Sequence, residues 1–554
     1  MRHGGQILID QLRIQGCDMA FCVPGESYLA ALDGLHEADI RTIICRQEGG
    51  AAMMAEAYGK MTGRPGVAFV TRGPGATNAS IGVHIARQDS TPMILFVGQA
   101  AMDMQDREAF QEVDFPAMFG PLAKWAAEIR DVRRIPEYVS RAYHTALAGR
   151  PGPVVLSLPE DMLSADADVP DLKPAQPPEA HPGADQMRAV GEALRRAQKP
   201  LLLVGGSGWS TYVQAQVTDF AERFDLPVTT AFRFQDSIDN RHRCYAGHVA
   251  LGIDPKLARR VKDTDLLLVV GPRLGEITTG GYTLLDVPNP KPLLIHVHPG
   301  AEELGSVYRP DIAIQASLHA FAAGLAGLEA PADPPWREWT RQARADYEAF
   351  SEPEETPGDV KLEQVVRTVS ETVPDDAIVT NGAGNFAAWV HRYFSYRRFR
   401  SQVAPTAGAM GYGLPAAVGA KLAAPERPVI CFQGDGCFMM NAQELATAVQ
   451  HELAIVVIVV NNGMYGTIRM HQERHYPGRV SGTSLRNPDF AAFARSFGAT
   501  GEIVEKTEDF AAAFERALKA GGPALIELKI DPEALTPRQT LSEIRAAAES
   551  AAQG

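Results

Sequence analysis

The sequence predicts an α/β protein of three doubly wound parallel-sheet domains. Two observations carry this. Short, continuous runs of β-branched residues and leucine recur along the chain, separated by stretches of helical period. Strands apolar on both faces belong to parallel sheets covered by helices on each side. Proline-rich, acidic stretches at 165–186 and around 329–335 then cut the 554-residue chain, too long for one core, into three segments of domain size.

The first segment carries GVAFVTRGPG (66–75), PMILFVGQ (92–99) and PVVLSLP (153–159). The second carries PLLLVGG (200–206), DLLLVVG (265–271) and PLLIHVH (292–298). The third carries PVICFQGDG (428–436), AIVVIVVNN (454–462) and PALIELKI (523–530). The domains are expected at 1–164, 187–328 and 357–540, the last after the polar stretch SEPEETPGD (351–359). The first and third segments echo each other. In each, a strand enters a Gly-rich turn (TRGPGATN; QGDGCFMMN), and a helix and another apolar strand follow. Two domains of similar topology fit this echo. In open parallel sheets ligands bind at the carboxyl ends of strands, where these turns lie.

The composition, 45% hydrophobic and 22% charged, is that of a globular protein, and the formal charge is −14. That charge repels nucleic acid and anionic membranes as general partners. An anionic ligand must therefore be held locally, by backbone N–H groups or a metal. The six cysteines include no CxxC pair, so reduced, incidental thiols and a cytoplasmic location are expected. The opening MRHGGQILIDQLRIQGCDMAF reads as an amphipathic helix without the apolar core of a secretion signal. No apolar run is long enough to span a bilayer.

The strongest local signal is Gly434-Asp435-Gly436 followed, after 24 residues, by Asn461-Asn462. Each piece alone is turn chemistry. Both, however, end apolar strands, and NAQELATAVQHE (441–452) between them reads as a helix capped by Asn441. Such a unit sets a carboxylate and a side-chain amide oxygen side by side near a helix N-terminus. Hard oxygen ligands suit Mg²⁺, and Gly434 and Gly436 let backbone amides approach a phosphate.

This pattern resembles the diphosphate motif of thiamine-diphosphate-dependent enzymes. Arg46-Gln47-Glu48-Gly49-Gly50-Ala51 and Gly408-Ala409-Met410-Gly411-Tyr412-Gly413-Leu414-Pro415 resemble further segments of the acetolactate synthase-like group (acetohydroxyacid synthase large subunits and pyruvate oxidases). The resemblance covers most of the chain and is weakest in the middle. It implies pyrimidine-binding, central and diphosphate-binding domains in that order. By resemblance, Asp435 and Asn462 hold Mg²⁺ through side chains and Met464 through its carbonyl. Cys437, Tyr465 and Gly466 lie along the diphosphate, and Gly384 and Asn385 form its second loop. Glu48 bonds N1′ of the aminopyrimidine, the group that readies thiazolium C2 to lose its proton. Met410 wedges the cofactor rings. Gln111 holds the reacting carbonyl or its oxyanion. Family members set the glutamate of one subunit against the diphosphate site of another, which implies a homodimer or homotetramer.

Some segments depart from the relatives. Pro24-Gly25-Glu26-Ser27 stands where acetolactate synthases have two glycines, so Glu26 is either a rim carboxylate or a substrate-site acid/base. His471 stands where the family has a tryptophan that helps select the second substrate. With His475, Arg469, Arg474 and Arg479 it makes a basic loop, either plainly solvated or a cationic lid. Lys124 matches a lysine at the family's substrate entrance. Phe110-Gln111-Glu112 is retained and no His-His pair stands at this place, against a plain pyruvate decarboxylase. Gly271-Pro272-Arg273-Leu274-Gly275-Glu276 replaces the family's FAD segment, and His296-Val297-His298-Pro299 replaces an IDIDP-like stretch. FAD is left open, with the departure weighing against it. The two histidines share a strand face and could bind metal, though strand-end histidines are commonplace. The reading is a carboligase acting on a 2-oxo acid. The alternative is a non-oxidative 2-oxo acid decarboxylase or related C–C lyase.

Overall fold

Three six-stranded sheets, parallel throughout, account for the architecture of the computed structural model, which describes residues 1–553. The first sheet uses Met19–Cys22, Arg41–Ile44, Gly66–Val70, Met93–Gln99, Trp125–Glu128 and Pro153–Pro159. Numbered along the chain, its strands lie in the order 2-1-3-4-6-5. The third sheet uses Ile378–Asn381, Gln402–Val403, Val429–Gly434, Val456–Asn461, Thr500–Val504 and Ala524–Lys529, in the same order. The middle sheet uses Pro200–Val204, Val228–Thr230, Tyr245–His248, Leu266–Val270, Leu293–His298 and Ile312–Gln315, in the order 3-2-1-4-5-6 of dinucleotide-binding folds.

Helices cover both faces of each sheet, which is why the central strands are apolar on both sides. One core runs from the first domain into the third. The helix Glu48–Thr62 packs along Gly413–Ala423, and a side chain at Gly419 would meet the Met54 carbonyl at 2.6 Å. A buried polar cluster ties the same joint. Tyr412 donates to Glu56, Thr91 donates to Glu56 at 2.6 Å, and Lys60 bridges Glu56 and Asp89.

The stretch 165–186 begins as a strand, Asp166–Ala167, paired antiparallel with Arg2–His3. It ends inside the helix Ala184–Arg196. Between them the chain is irregular but fastened. Gln11 brackets the Leu172 backbone with hydrogen bonds of 2.9 and 3.0 Å. The region 441–452 is not one helix. A 3₁₀ turn, Ala442–Glu444, precedes Leu445–Gln450, and the Asn441 side chain donates to the Gly411 carbonyl (3.0 Å) instead of capping. Among the described residues no helix is long and apolar enough to cross a membrane. All six cysteines are free and buried.

Candidate active site

Strands Val429–Gly434 and Val456–Asn461 are hydrogen-bonded neighbours, with Gly434 opposite Val460. Asp435 and Asn462 therefore leave adjacent strand ends together. Both line a cleft of about 230 Å³. Gly384, Asn385, Met410, Gly434 and Gly436 line it too, as do Cys437, Met464, Tyr465 and Gly466. Three helices start at this cleft: Phe386–Tyr393, Asp435–Phe438 and Gly466–His475. None has a side-chain cap. The free N–H groups of helix N-termini favour an anion. A side chain at Gly436 would stand 2.5 Å from the Tyr465 ring, so glycine keeps this cradle open. Burial pushes the Cys437 thiol up to about 11, which makes it a lining group and not a nucleophile.

Asp435 is 2% exposed. Its partners are the Gly436 N–H (2.9 Å), the Gly463 N–H (2.9 Å) and the Asn487 amide (2.7 Å), all neutral. Burial raises its pKa, and among the described residues no cation pairs with it. A buried carboxylate in such company lacks a counter-charge. A divalent cation beside a diphosphate fits this donor set, and the side-chain oxygens of Asp435 and Asn462 are the hard ligands it requires. The Asn487 amide also donates to Asn461 at 2.9 Å, and Asn461 donates to the fully buried Glu527 at 2.6 Å. These bonds fix both strand ends.

A second group of candidates gathers at the carboxyl edge of the first sheet. Glu48 opens the helix Glu48–Thr62, whose N-cap is Gln47, and accepts from the Asn78 amide at 2.9 Å. Its half-buried carboxylate sits in the first turn, where the helix dipole favours it. A side chain at Gly75 would come within 3.5 Å of it. Glu26 follows the strand Met19–Cys22 and is 68% exposed. Gln111 adopts φ 62°, and its carbonyl accepts from the Gly73 N–H at 3.0 Å. Asp106 and Glu108 in the same loop also have positive φ. The Glu112 carboxylate holds this loop, accepting from the N–H groups of Asp106 (2.7 Å) and Ala109 (2.8 Å). Glu26, Glu48 and Gln111 do not line the third-domain cleft of their own chain.

His471 also lies outside that cleft. The stretch read as a basic loop is, over Gly466–His475, a helix, and His471 is exposed and stacked on His475 with ring centroids 6.3 Å apart. Burial and the neighbouring Arg474 lower its pKa. It lies one turn beyond Ile468, which does line the cleft, so the two share a helix face. Lys124 is corrected outright. It precedes the strand Trp125–Glu128, at the opposite edge of the sheet from the candidate residues. Its ammonium is spent on the carbonyls of Thr145 (2.5 Å) and Ala148 (2.7 Å). In the middle domain, His296 bonds the Pro272 carbonyl at 3.0 Å and His298 bonds Gly300. Among the described residues no cluster of three or more His, Cys, Asp or Glu could hold a metal. Arg273 pairs with Glu303 (2.8 Å) beside a separate cleft of about 270 Å³.

The sequence did not point to several residues that shape these sites. Asn487 and Glu527 orient the strand ends. Glu444, buried in the third domain, accepts the Arg46 N–H at 3.1 Å and so holds the chain that leads into Glu48. Burial pushes its carboxyl up to about 7. Arg233, from the middle domain, donates to the carbonyls of Pro405 (2.5 Å) and Gly382 (2.9 Å), the latter at the start of the loop carrying Gly384.

Comparison with known proteins gives three family matches. Residues 2–118 match the thiamine pyrophosphate enzyme N-terminal TPP binding domain, 187–325 the central domain, and 382–528 the C-terminal TPP binding domain. The chain is 30% identical to the acetolactate synthase isozyme 2 large subunit of Escherichia coli, over 96% of each chain. It is 32% identical to the acetolactate synthase large subunit of Parasynechococcus marenigrum, over 95% of this chain and 87% of that one. With the probable acetolactate synthase large subunit of Methanocaldococcus jannaschii it shares 28% identity, over 96% and 93%.

Proposed function

The chain belongs to the thiamine-pyrophosphate-dependent enzymes of the acetolactate synthase kind, and from that premise we propose that it removes CO₂ from a 2-oxo acid and joins the remaining acyl unit to a second carbonyl. The observation that carries this reading is the third-domain cleft, where three uncapped helix N-termini meet a buried carboxylate without a counter-charge. Thiamine diphosphate, when bound, supplies a carbon nucleophile and a sink for the electrons that the lost carboxylate leaves behind. Asp435 and Asn462 would hold Mg²⁺ by side chain and Met464 by its carbonyl. The N–H groups around Gly384, Cys437 and Gly466 would hold the diphosphate, with Gly436 keeping the approach open and Asn385 and Tyr465 beside it. Met410 would wedge between the rings, and Glu48 would hold a proton at N1′ of the pyrimidine. Gln111 donates to the reacting carbonyl, and Glu26 exchanges a proton with substrate at the rim.

Glu48 and the cleft belong together across a subunit interface in this reading, as homodimer or homotetramer. Exposed apolar side chains on both faces support it: Met439, Met440 and Ile468 beside the cleft, Ile81 and Phe110 beside Glu48 and Gln111. Six free thiols fit a reducing cytoplasm. No flavin has a part in the reading. A decarboxylase or C–C lyase is the second reading, supported by the exposed carboxyl of Glu26, since an acid at the substrate would supply the proton where a carboligase needs an acceptor.

The test is product analysis with Mg²⁺, thiamine diphosphate and pyruvate, with and without an acceptor aldehyde. The carboligase reading expects CO₂ and a coupled product that grows with acceptor. CO₂ and free acetaldehyde alone, whatever the acceptor, would favour the second reading. Bound cofactor with no CO₂ from any 2-oxo acid would reject both.

A further inference from the structure

Glu26 poses a problem for an enzyme of anions, since a carboxylate at the rim repels an incoming 2-oxo acid. The surroundings deepen it: Glu48 and Glu160 lie at the same sheet edge. The counterweight is Arg72. It follows the strand Gly66–Val70, where the helix Gly73–Asp89 begins, and its side chain is 8% exposed. Its neighbours in sequence bracket the candidate site. The Thr71 hydroxyl is 2.9 Å from that of Ser27. Gly73 bonds the Gln111 carbonyl, and Gly75 lies beside Glu48.

The guanidinium is under-used. One Nη donates to Glu160 at 2.5 Å. The other is 3.7 Å from Glu26, beyond hydrogen-bond range, and Nε is buried without a partner. Five N–H donors in a rigid planar fork therefore make a single short bond. The fork matches a carboxylate, which it can bind through two parallel bonds. The leaving carboxylate is the wrong guest, because a cation bound to it would stabilise the ground state and oppose loss of CO₂. The carboxylate that Arg72 serves is one that survives the reaction.

We infer that Arg72 is a specificity-determining residue that receives a retained substrate carboxylate, that of an acceptor bearing both a carbonyl and a carboxylate. This rests on the carboligase reading. It resolves the sign of the site: Glu26 and Arg72 balance in the free protein, and the acceptor's carboxylate replaces Glu26 at the guanidinium.

Glyoxylate and glycolaldehyde, alike in size and differing in charge, test this as acceptors with pyruvate as donor. Arg72→Gln should raise the KM for glyoxylate relative to that for glycolaldehyde by at least tenfold. Arg72→Lys, which keeps the charge but loses the fork, should fall between. Thermal denaturation of all three proteins identifies a variant that fails to fold. In that case the lysine variant carries the comparison, and a ratio equal to that of the unmutated protein overturns the inference. An equal rise for both acceptors, or none, also overturns it. Binding of oxamate, an unreactive isostere of a 2-oxo acid, is followed by NMR in parallel with CO₂ release. If the unmutated protein releases no CO₂, the carboligase reading falls, and oxamate alone decides for Arg72. Tenfold weaker binding by Arg72→Gln then supports a carboxylate site at Arg72 while the acceptor assignment falls, and equal binding overturns both.

Discussion

The first and third domains share one strand order and put opposite chemistry at matching strand ends. After its third strand the first domain runs through Thr71-Arg72 into a helix of 17 residues, Gly73–Asp89. At the equivalent place the third domain enters a helix of four residues, Asp435–Phe438, then a 3₁₀ turn and a six-residue helix. The first domain leaves Gly73–Asp89 uncapped like its counterpart, but it caps the helix carrying Glu48 with Gln47 and sets Arg72 3.7 Å from Glu26. The third leaves three helix starts uncapped and Asp435 without a cation. One scaffold thus presents charged side chains, suited to a heterocycle and a small substrate. The other presents backbone N–H groups and oxygens, suited to a diphosphate and a metal. The chemistry lies in the turns and not in the fold.

The comparison breaks most sharply at Glu48. Glu48→Gln should keep the fold and most cofactor affinity but slow hydrogen–deuterium exchange at thiazolium C2 by about 10²–10⁴-fold, the scale of general acid–base catalysis. NMR after acid quench reads the rate, and exchange as fast as in the unmutated protein would remove the first domain's proposed share in the chemistry.

In the third domain, Asn487→Ala removes the amide that bonds both Asp435 and Asn461. Metal affinity should drop about 10–100-fold, the range for residues that orient ligands. Titration with Mn²⁺ followed by electron paramagnetic resonance measures it.

Glu444 joins the two regions and gives a pH signature. Its carboxyl is pushed up from 4.5 to about 7, so between these values the folded protein holds a proton that the unfolded chain has lost. This contribution to stability is complete below pH 4.5 and is lost as pH rises through 7. It amounts to about 3 kcal/mol, at about 1.4 kcal/mol per unit. Glu444→Gln should flatten that part of the stability-versus-pH curve in denaturant titrations. An unchanged slope would show that burial does not hold a proton on Glu444 up to about pH 7.

The smallest effect is expected at His471. A tryptophan there offers a flat apolar wall, whereas histidine is smaller and polar. The unmutated protein should join pyruvate to 2-oxobutyrate poorly. His471→Trp should shift products toward acetohydroxy acids by about 1–2 kcal/mol, the scale of one altered pocket contact. A competition assay resolved by chromatography reads the ratio.

Three strands of each sheet were legible in the sequence, and they are the third, fourth and fifth in each spatial order. These are central strands with continuous apolar runs. The strands around them, such as Arg41–Ile44, Gln402–Val403 and Trp125–Glu128, are two to four residues long or partly polar, and their identity depends on a neighbour. The helix Gly466–His475 escaped because it is mostly polar. The ion triad of Arg469, Glu473 and Arg545 holds it, and hydrogen bonding to Arg545 brings the Glu473 carboxyl down to about 2. Within the candidate site, Asp435 and Asn462 were legible because spacing and strand ends are local properties. Asn487 reaches Asp435 across 52 residues of chain, and Glu444 reaches Arg46 across 398. Neither return leaves a pattern in the sequence.

The central claim is that the third-domain cleft holds a diphosphate through a metal anchored on Asp435. Calorimetric titration of thiamine diphosphate with Mg²⁺ present, and again in EDTA, tests it directly on the unmutated protein and on Asp435→Ala. The account predicts at least tenfold weaker binding in EDTA, a similar loss in the variant, and no further loss when the variant is placed in EDTA. Equal affinity of the unmutated protein with Mg²⁺ and with EDTA would contradict it.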